Sequence, residues 1–154
     1  MTRLGRTLIV AQAPSSKSDP AEPLSGQSGR RLADLAGLTF EAFLERFERV
    51  NLLPVYPGRQ GKGDAFPMAE AREHAHQILV SHFRGGRRVV LLGRNVAAAF
   101  MGSMLADDFP QLTWVGSAIN HGFVVARCPH PSGVCRWWNE PKNVEAARAF
   151  WRKI

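Results

Sequence analysis

The sequence predicts an α/β fold: a three-layer α/β/α sandwich around a central, mostly parallel sheet of about four strands. Two observations carry this expectation. Compact apolar runs, Thr7 to Gln12 and Arg88 to Leu92, read as strands buried on both faces, as in a parallel sheet. Between them lie stretches with apolar residues at helical spacing, and strands alternating with helices place helices on both faces of such a sheet. At 154 residues the chain is long enough for a single domain with its own core, and residues 1–154 are read as one.

The elements follow in order. Thr7 to Gln12 is the first strand, with a basic lead-in, and Pro14 stops it. Ser15 to Gln27 carries Ser, Pro, Gly, Asp and Glu and reads as a loop; its length is itself a sign of function. Ser28 is placed to cap a helix starting near Gly29, with Leu32, Leu35 and Ala36 as its apolar stripe and Gly37 as its end. Thr39 opens a second helix with Phe40, Phe43, Leu44 and Phe47 on one face. Asn51 to Val55 is a short strand candidate, and the Gly-rich basic segment Tyr56 to Phe66 follows as a loop and candidate hinge. Pro67 suits the start of a helix running to about Phe83, with Ile78, Leu79 and Phe83 on its core face. Arg88 to Leu92 is the clearest strand, and Gly93 turns it into a helix from Asn95 to Met101. Leu112 to Val115 and Phe123 to Ala126 are two further strands, and Asn143 to Lys153 is a closing amphipathic helix. There is no internal repeat, low-complexity tract or linker.

Composition bounds the function. Hydrophobic residues make up 45%, which argues against global disorder. The formal charge is +7, with arginine far ahead of lysine. Arginine suits bidentate phosphate contacts, and the balance is compatible with a nucleic-acid partner. A solvated arginine surface accounts for the charge equally well. The two cysteines, Cys128 and Cys135, lack Cys-x-x-Cys spacing, so free thiols in a reducing cytoplasm are favoured over a disulfide closing this small loop. Leu8 to Ala13 is too short for a signal-peptide core, and no apolar run approaches the roughly 18–20 residues of a membrane span. A cytoplasmic monomer without membrane association is expected.

Three separated segments carry the candidate chemistry. They are the first strand and turn, Leu8 to Pro14; Asn51; and the turn Pro129-His130-Pro131-Ser132-Gly133 with Trp137-Trp138 behind it. In an open α/β sheet such segments can meet, because ligand sites form outside the carboxyl ends of the strands. Taken without further information, Asn51 reads as a cap on the turn out of the second helix. His130 reads as a loop histidine, held by its flanking prolines.

The order of these motifs resembles the uracil-DNA glycosylase superfamily, most of all its thermostable, iron–sulfur-containing branch. That branch has a strand ending Gly-Glu-Ala-Pro-Gly, an acidic loop, and then Pro-Phe-x-Gly-x-Ala-Gly-x-Leu-Leu. This chain has Ala11-Gln12-Ala13-Pro14-Ser15 and then Pro23-Leu24-Ser25-Gly26-Gln27-Ser28-Gly29-Arg30-Arg31-Leu32. The branch continues with Asn-Val-Val at a strand start, where this chain has Asn51-Leu52-Leu53. Its Val-x-Leu-Leu-Gly strand is matched by Val89-Val90-Leu91-Leu92-Gly93, and its closing His-Pro-Ser by His130-Pro131-Ser132. The correspondence is collinear over nearly the whole chain.

The resemblance implies a monofunctional DNA N-glycosylase that flips a damaged base, uracil foremost, into a pocket and hydrolyses its glycosidic bond. Asn51 would read the Watson–Crick edge with one donor and one acceptor. His130 would stabilise the charge developing on the leaving base. Ser132, the Gly133 amide and Gly26, with Gly29 beside it, would hold phosphate. Arg136 or Trp137 would fill the gap left by the flipped base. The basic stretch Arg59-Gln60-Gly61-Lys62 either clamps the DNA backbone or is simply solvated.

Several positions depart from the pattern. Leu24 stands where relatives stack an aromatic ring on the base, losing a contribution of about 1–3 kcal/mol. Ser15 replaces a tyrosine that excludes thymine's methyl group, which widens the expected base pocket. Ala13 stands where another branch has a water-positioning aspartate, and Gln12 replaces a glutamate; an amide can orient water but cannot take its proton. Asp19, five residues after Pro14, is either the carboxylate that helps or a solvated loop acid. The four cluster cysteines are absent, so no iron–sulfur cluster is expected. His74, His76 and His82 show no metal-ligand spacing, so no metal site is expected either. Gln12 and Leu24 favour an alternative: a catalytically weak member of the fold that binds DNA or nucleotides without cutting. An enzyme of free nucleosides is a third reading, disfavoured by the positive charge.

Overall fold

The computed structural model describes residues 5–82, 87–116, 124–132 and 135–154, with side chains for all of these but 103–105. Strand β1 (Leu8–Ala11) lies inside a five-stranded sheet. It pairs in parallel with β2 (Glu48–Asn51) on one side and with β5 (Arg88–Leu92) on the other. Beyond β5 come β7 (Val124–Cys128), again parallel, and β6 (Val115–Gly116), an antiparallel edge. The order is β2-β1-β5-β7-β6, and a separate two-stranded hairpin, β3 (Arg59–Gln60) and β4 (Gly63–Asp64), stands outside it.

Side chains alternate across this sheet and feed two cores. Leu8, Val10, Val89, Leu91 and Val125 pack under helices α3 (Met68–His82) and α4 (Arg94–Met101). Ile9, Ala11, Val90, Leu92 and Ala126 pack under α1 (Gln27–Ala36), α2 (Phe40–Arg46) and α6 (Pro141–Arg152). Helices therefore cover both faces, which is why the inner strands read as unbroken apolar runs. The expected three-layer, mostly parallel architecture holds.

Local chemistry explains most of the helix ends. Thr39 Oγ1 accepts a hydrogen bond from Ala42 N–H at 3.1 Å and caps α2. Gly37, at φ 70°, closes α1 in the left-handed conformation that costs glycine least. Pro141 occupies the first turn of α6, two residues before the expected start.

The structure corrects three further boundaries. The second strand runs over Glu48–Asn51 and not over 51–55, so Asn51 ends it. Pairing with β1 (Leu8 opposite Glu48, Ala11 opposite Asn51) pulls the polar Glu48 and Arg49 into an edge strand. Buried Arg87 holds that edge, donating to Glu48 Oε2 at 2.5 Å, to His82 O at 2.6 Å and to Arg6 O at 3.1 Å. Helix α1 begins at Gln27 with Gly26 as its cap, which leaves Ser28 inside the first turn. The expected strand over 112–115 shrinks to two residues. The helix α5 (Ser103–Asp108) and the β3–β4 hairpin were both unforeseen. Phe83 and Phe123 lie outside the described residues.

Candidate functional site

Ala11, Asn51 and Leu92 end three adjacent parallel strands, and His130 follows the end of a fourth by two residues. All four border one cavity of about 490 Å³. It occupies the crevice beyond the carboxyl ends, and its volume falls within the ~300–1,000 Å³ usual for small-molecule pockets. The loop between β1 and α1 forms the opposite wall through Ser15, Leu24 and Gly26, while Gln12 and Ala13 continue from β1.

His130 is held from three directions. The Ser132 backbone N–H donates to its Nδ1 at 3.1 Å, so this nitrogen carries no proton and the neutral ring has its N–H on Nε2. The Trp138 indole N–H donates to the His130 carbonyl at 2.8 Å. Gly93, at φ 90°, leaves room beside the ring: a Cβ there would lie 3.4 Å from His130 Cβ. Burial pushes the imidazole below its ordinary range, against a smaller opposite pull from the Asp64 carboxylate. The imidazole is thus kept neutral near pH 7 and offers one donor.

Asn51 reaches the cavity through strand alternation. Two residues earlier, Arg49 donates from Nη1 to the Pro23 carbonyl at 2.7 Å, which places it on the loop side of the sheet, and Asn51 follows on that side. Its amide Nδ2 is buried and has no hydrogen-bond partner among the described residues. Such an unmet donor costs about 1–3 kcal/mol, which is tolerated where a ligand meets it.

Leu24 borders the cavity at φ 59°, a left-handed conformation that a branched apolar side chain rarely adopts. Strain of this kind collects at ligand sites. Its carbonyl lies against the first turn of α1, where only glycine fits: a Cβ on Gly29 would come within 1.8 Å of Leu24 O. The Ser15 hydroxyl shares a short hydrogen bond with the Ser18 hydroxyl.

Other expected residues are not brought in. Asp19 is exposed and outside the cavity wall; its Oδ1 accepts from Ala21 N–H at 2.9 Å, closing its own turn. Of the two readings of Asp19, its position matches the solvated loop acid. Ser132 does not border the cavity, and its backbone N–H is taken by His130. Arg136 is exposed at the start of a 3₁₀ turn, Arg136–Asn139. Trp137 is half-buried edge-on to Trp138 at 4.7 Å, so it packs and does not project. Gly133 lies outside the described residues.

Asp64 was missed. It lies on β4, borders the cavity, and accepts from the Tyr56 hydroxyl at 3.2 Å. The sequence signal was faint: one acid in a basic Gly-Lys-Gly-Asp stretch, whose Gly61 at φ 62° sits in the hairpin turn. Lys17 and Glu22 also line the wall.

Among the described residues no group of three or more His, Cys, Asp or Glu side chains is arranged to hold a metal ion. His74 and His82 instead meet Glu70 at 3.4 Å and Glu48 at 3.3 Å. Cys128 and Cys135 are free thiols, and burial pushes Cys128 up to about 12, leaving it unreactive. No described helix is long and apolar enough to cross a membrane. No protein-family model matches the chain, and no curated protein matches its sequence.

Proposed function

We propose that the cavity receives one flipped-out nucleobase, uracil foremost, and that the protein is a monofunctional DNA N-glycosylase. The observation that carries this reading is the meeting of two hydrogen-bonding groups in one cavity: the neutral His130 ring with its donor on Nε2, and the unmet amide of Asn51. Asn51 reads the edge of the base, and Leu24 covers its face. As the glycosidic bond breaks, negative charge grows on the base, and His130 Nε2–H stabilises it there without changing protonation state beforehand. Gln12 orients the attacking water. The formal charge of +7 favours DNA as the partner, with Gly26 and the exposed Arg136 as phosphate contacts. Two free thiols suit a reducing cytoplasm.

The test is single-turnover base release from oligonucleotides carrying uracil, hypoxanthine, xanthine or a thymine mismatch, single- and double-stranded, read by alkaline strand cleavage. Release from one of them, reduced about 10²–10³-fold in His130→Ala with DNA affinity kept, is the expected result. Release unaffected by His130→Ala removes the role given to that ring. No release from any substrate, with salt-sensitive DNA binding intact, replaces the reading with the non-cutting one.

A further inference from the structure

Resting on the glycosylase reading, we propose that Asp64, carried on the β3–β4 hairpin, is the catalytic carboxylate of the cavity, facing the reacting sugar and its water. The reaction needs an anion there. When the C1′–N bond breaks, its electron pair leaves with the base and the sugar becomes cationic. A carboxylate beside it stabilises that cation and aligns the water whose oxygen then bonds to C1′. The water's proton passes to the carboxylate and on to solvent, while the base anion takes a proton from solvent, so the sum is one water added across one bond.

Only a few groups in this wall can serve. Gln12 has no acid–base function, and Asp19 is engaged in its own turn outside the wall. The Glu22 carboxylate acts on the Arg49 guanidinium, on the side of the loop. Asp64 remains. Its Oδ1 accepts from Tyr56, which leaves Oδ2 open, and its charge is felt at His130 across the cavity. The hairpin positions it firmly: Arg59 pairs with Asp64, and Ala65 N–H donates to Gly58 O at 2.8 Å. Arg59 and Lys62 are exposed on the same hairpin, so a DNA backbone bound there would press Asp64 toward the substrate.

The experiment compares wild type, Asp64→Asn and Asp19→Asn in single-turnover base release and DNA affinity, with His130 followed by NMR titration. Asp64 is exposed on a two-residue strand, so its variant folds, as a thermal melt verifies. Expected are a loss of about 10²-fold in rate for Asp64→Asn, affinity unchanged, Asp19→Asn at wild-type rate, and a His130 titration moved to lower pH by removal of the neighbouring anion. An Asp64→Asn rate within about threefold of an active wild type overturns the assignment and leaves the glycosylase reading standing. A His130 titration that does not move overturns the placement of Asp64 whatever the activity. A wild type inert on every substrate removes the glycosylase reading and the role of Asp64 with it.

Discussion

Replacing Gly29 with alanine tests the construction of the cavity wall. The added Cβ would lie 1.8 Å from Leu24 O and 2.8 Å from Leu24 C, whereas real contacts stay beyond 3.0 Å. The opposing atoms are backbone, so no side-chain rotation relieves the clash, and the loop must retreat by about 1.2 Å. Overpacking costs about 1–3 kcal/mol, and a backbone clash belongs at the upper end. Alanine regains about 1 kcal/mol of helix propensity over glycine. The net loss is about 2 kcal/mol, which for a chain of this size lowers Tm by about 4–8 °C. Leu24 already holds a strained φ of 59°, so the retreat displaces it from the cavity, and a misplacement of about 1 Å costs about 10²-fold in rate. Circular dichroism melts and single-turnover base release measure the two effects. Gly26→Ala is the control for the melts alone, since nothing lies within 4 Å of its added Cβ. A Gly29→Ala protein melting within about 1 °C of wild type would refute the close approach of loop and helix.

Three further outcomes follow from the same geometry. Burial lowers the folded-state pKa of His130 below its unfolded value, so the unfolded chain protonates first. Its contribution to stability is full above about pH 6.5 and is lost as pH falls from there through the folded pKa; urea midpoints across this window should therefore slope less in His130→Gln than in wild type. Trp138→Phe removes the indole donor at 2.8 Å from the His130 carbonyl, so stability should fall by about 0.5–1.5 kcal/mol in urea unfolding, and base release should slow with DNA affinity retained. Arg87→Met strips three hydrogen bonds, one from Glu48 on β2 and two from the carbonyls of Arg6 and His82, but Glu48 is 36% exposed and rehydrates in part, so urea unfolding should show a loss of roughly 2–3 kcal/mol.

Legibility varied with how local the physics is. The strands at Leu8–Ala11 and Arg88–Leu92 were plain, because burial on both faces demands unbroken apolar runs. Thr39, Gly37 and the Pro67-led helix were plain as well, because caps act within one turn. Strand β2 was misplaced because Glu48-Arg49 has no strand pattern of its own, and only pairing with β1 makes it one. Asp19 and Asp64 looked alike in the sequence, as lone acids in polar loops. A backbone N–H two residues on keeps the first outside the cavity wall, while a hairpin and a tyrosine hydroxyl hold the second in it.

The sequence by itself determined the layered α/β class and most of the helix ends, because apolar periodicity and turn chemistry are written in short windows; His130, Asn51, Gln12 and Leu24, which border the cavity, were singled out only through the resemblance of motif order. Tertiary structure alone decided that β2 ends at Asn51, that His130 is neutral with its proton on Nε2, that Leu24 is strained against Gly29, and that Asp64, and not Asp19, borders the cavity. The end of β2 and the place of Asp64 rest on contacts between segments far apart in the chain, which exist only once the sheet has brought the strand ends together; the His130 tautomer and the approach of Leu24 to Gly29 are local, but they depend on backbone geometry that no residue pattern spells out.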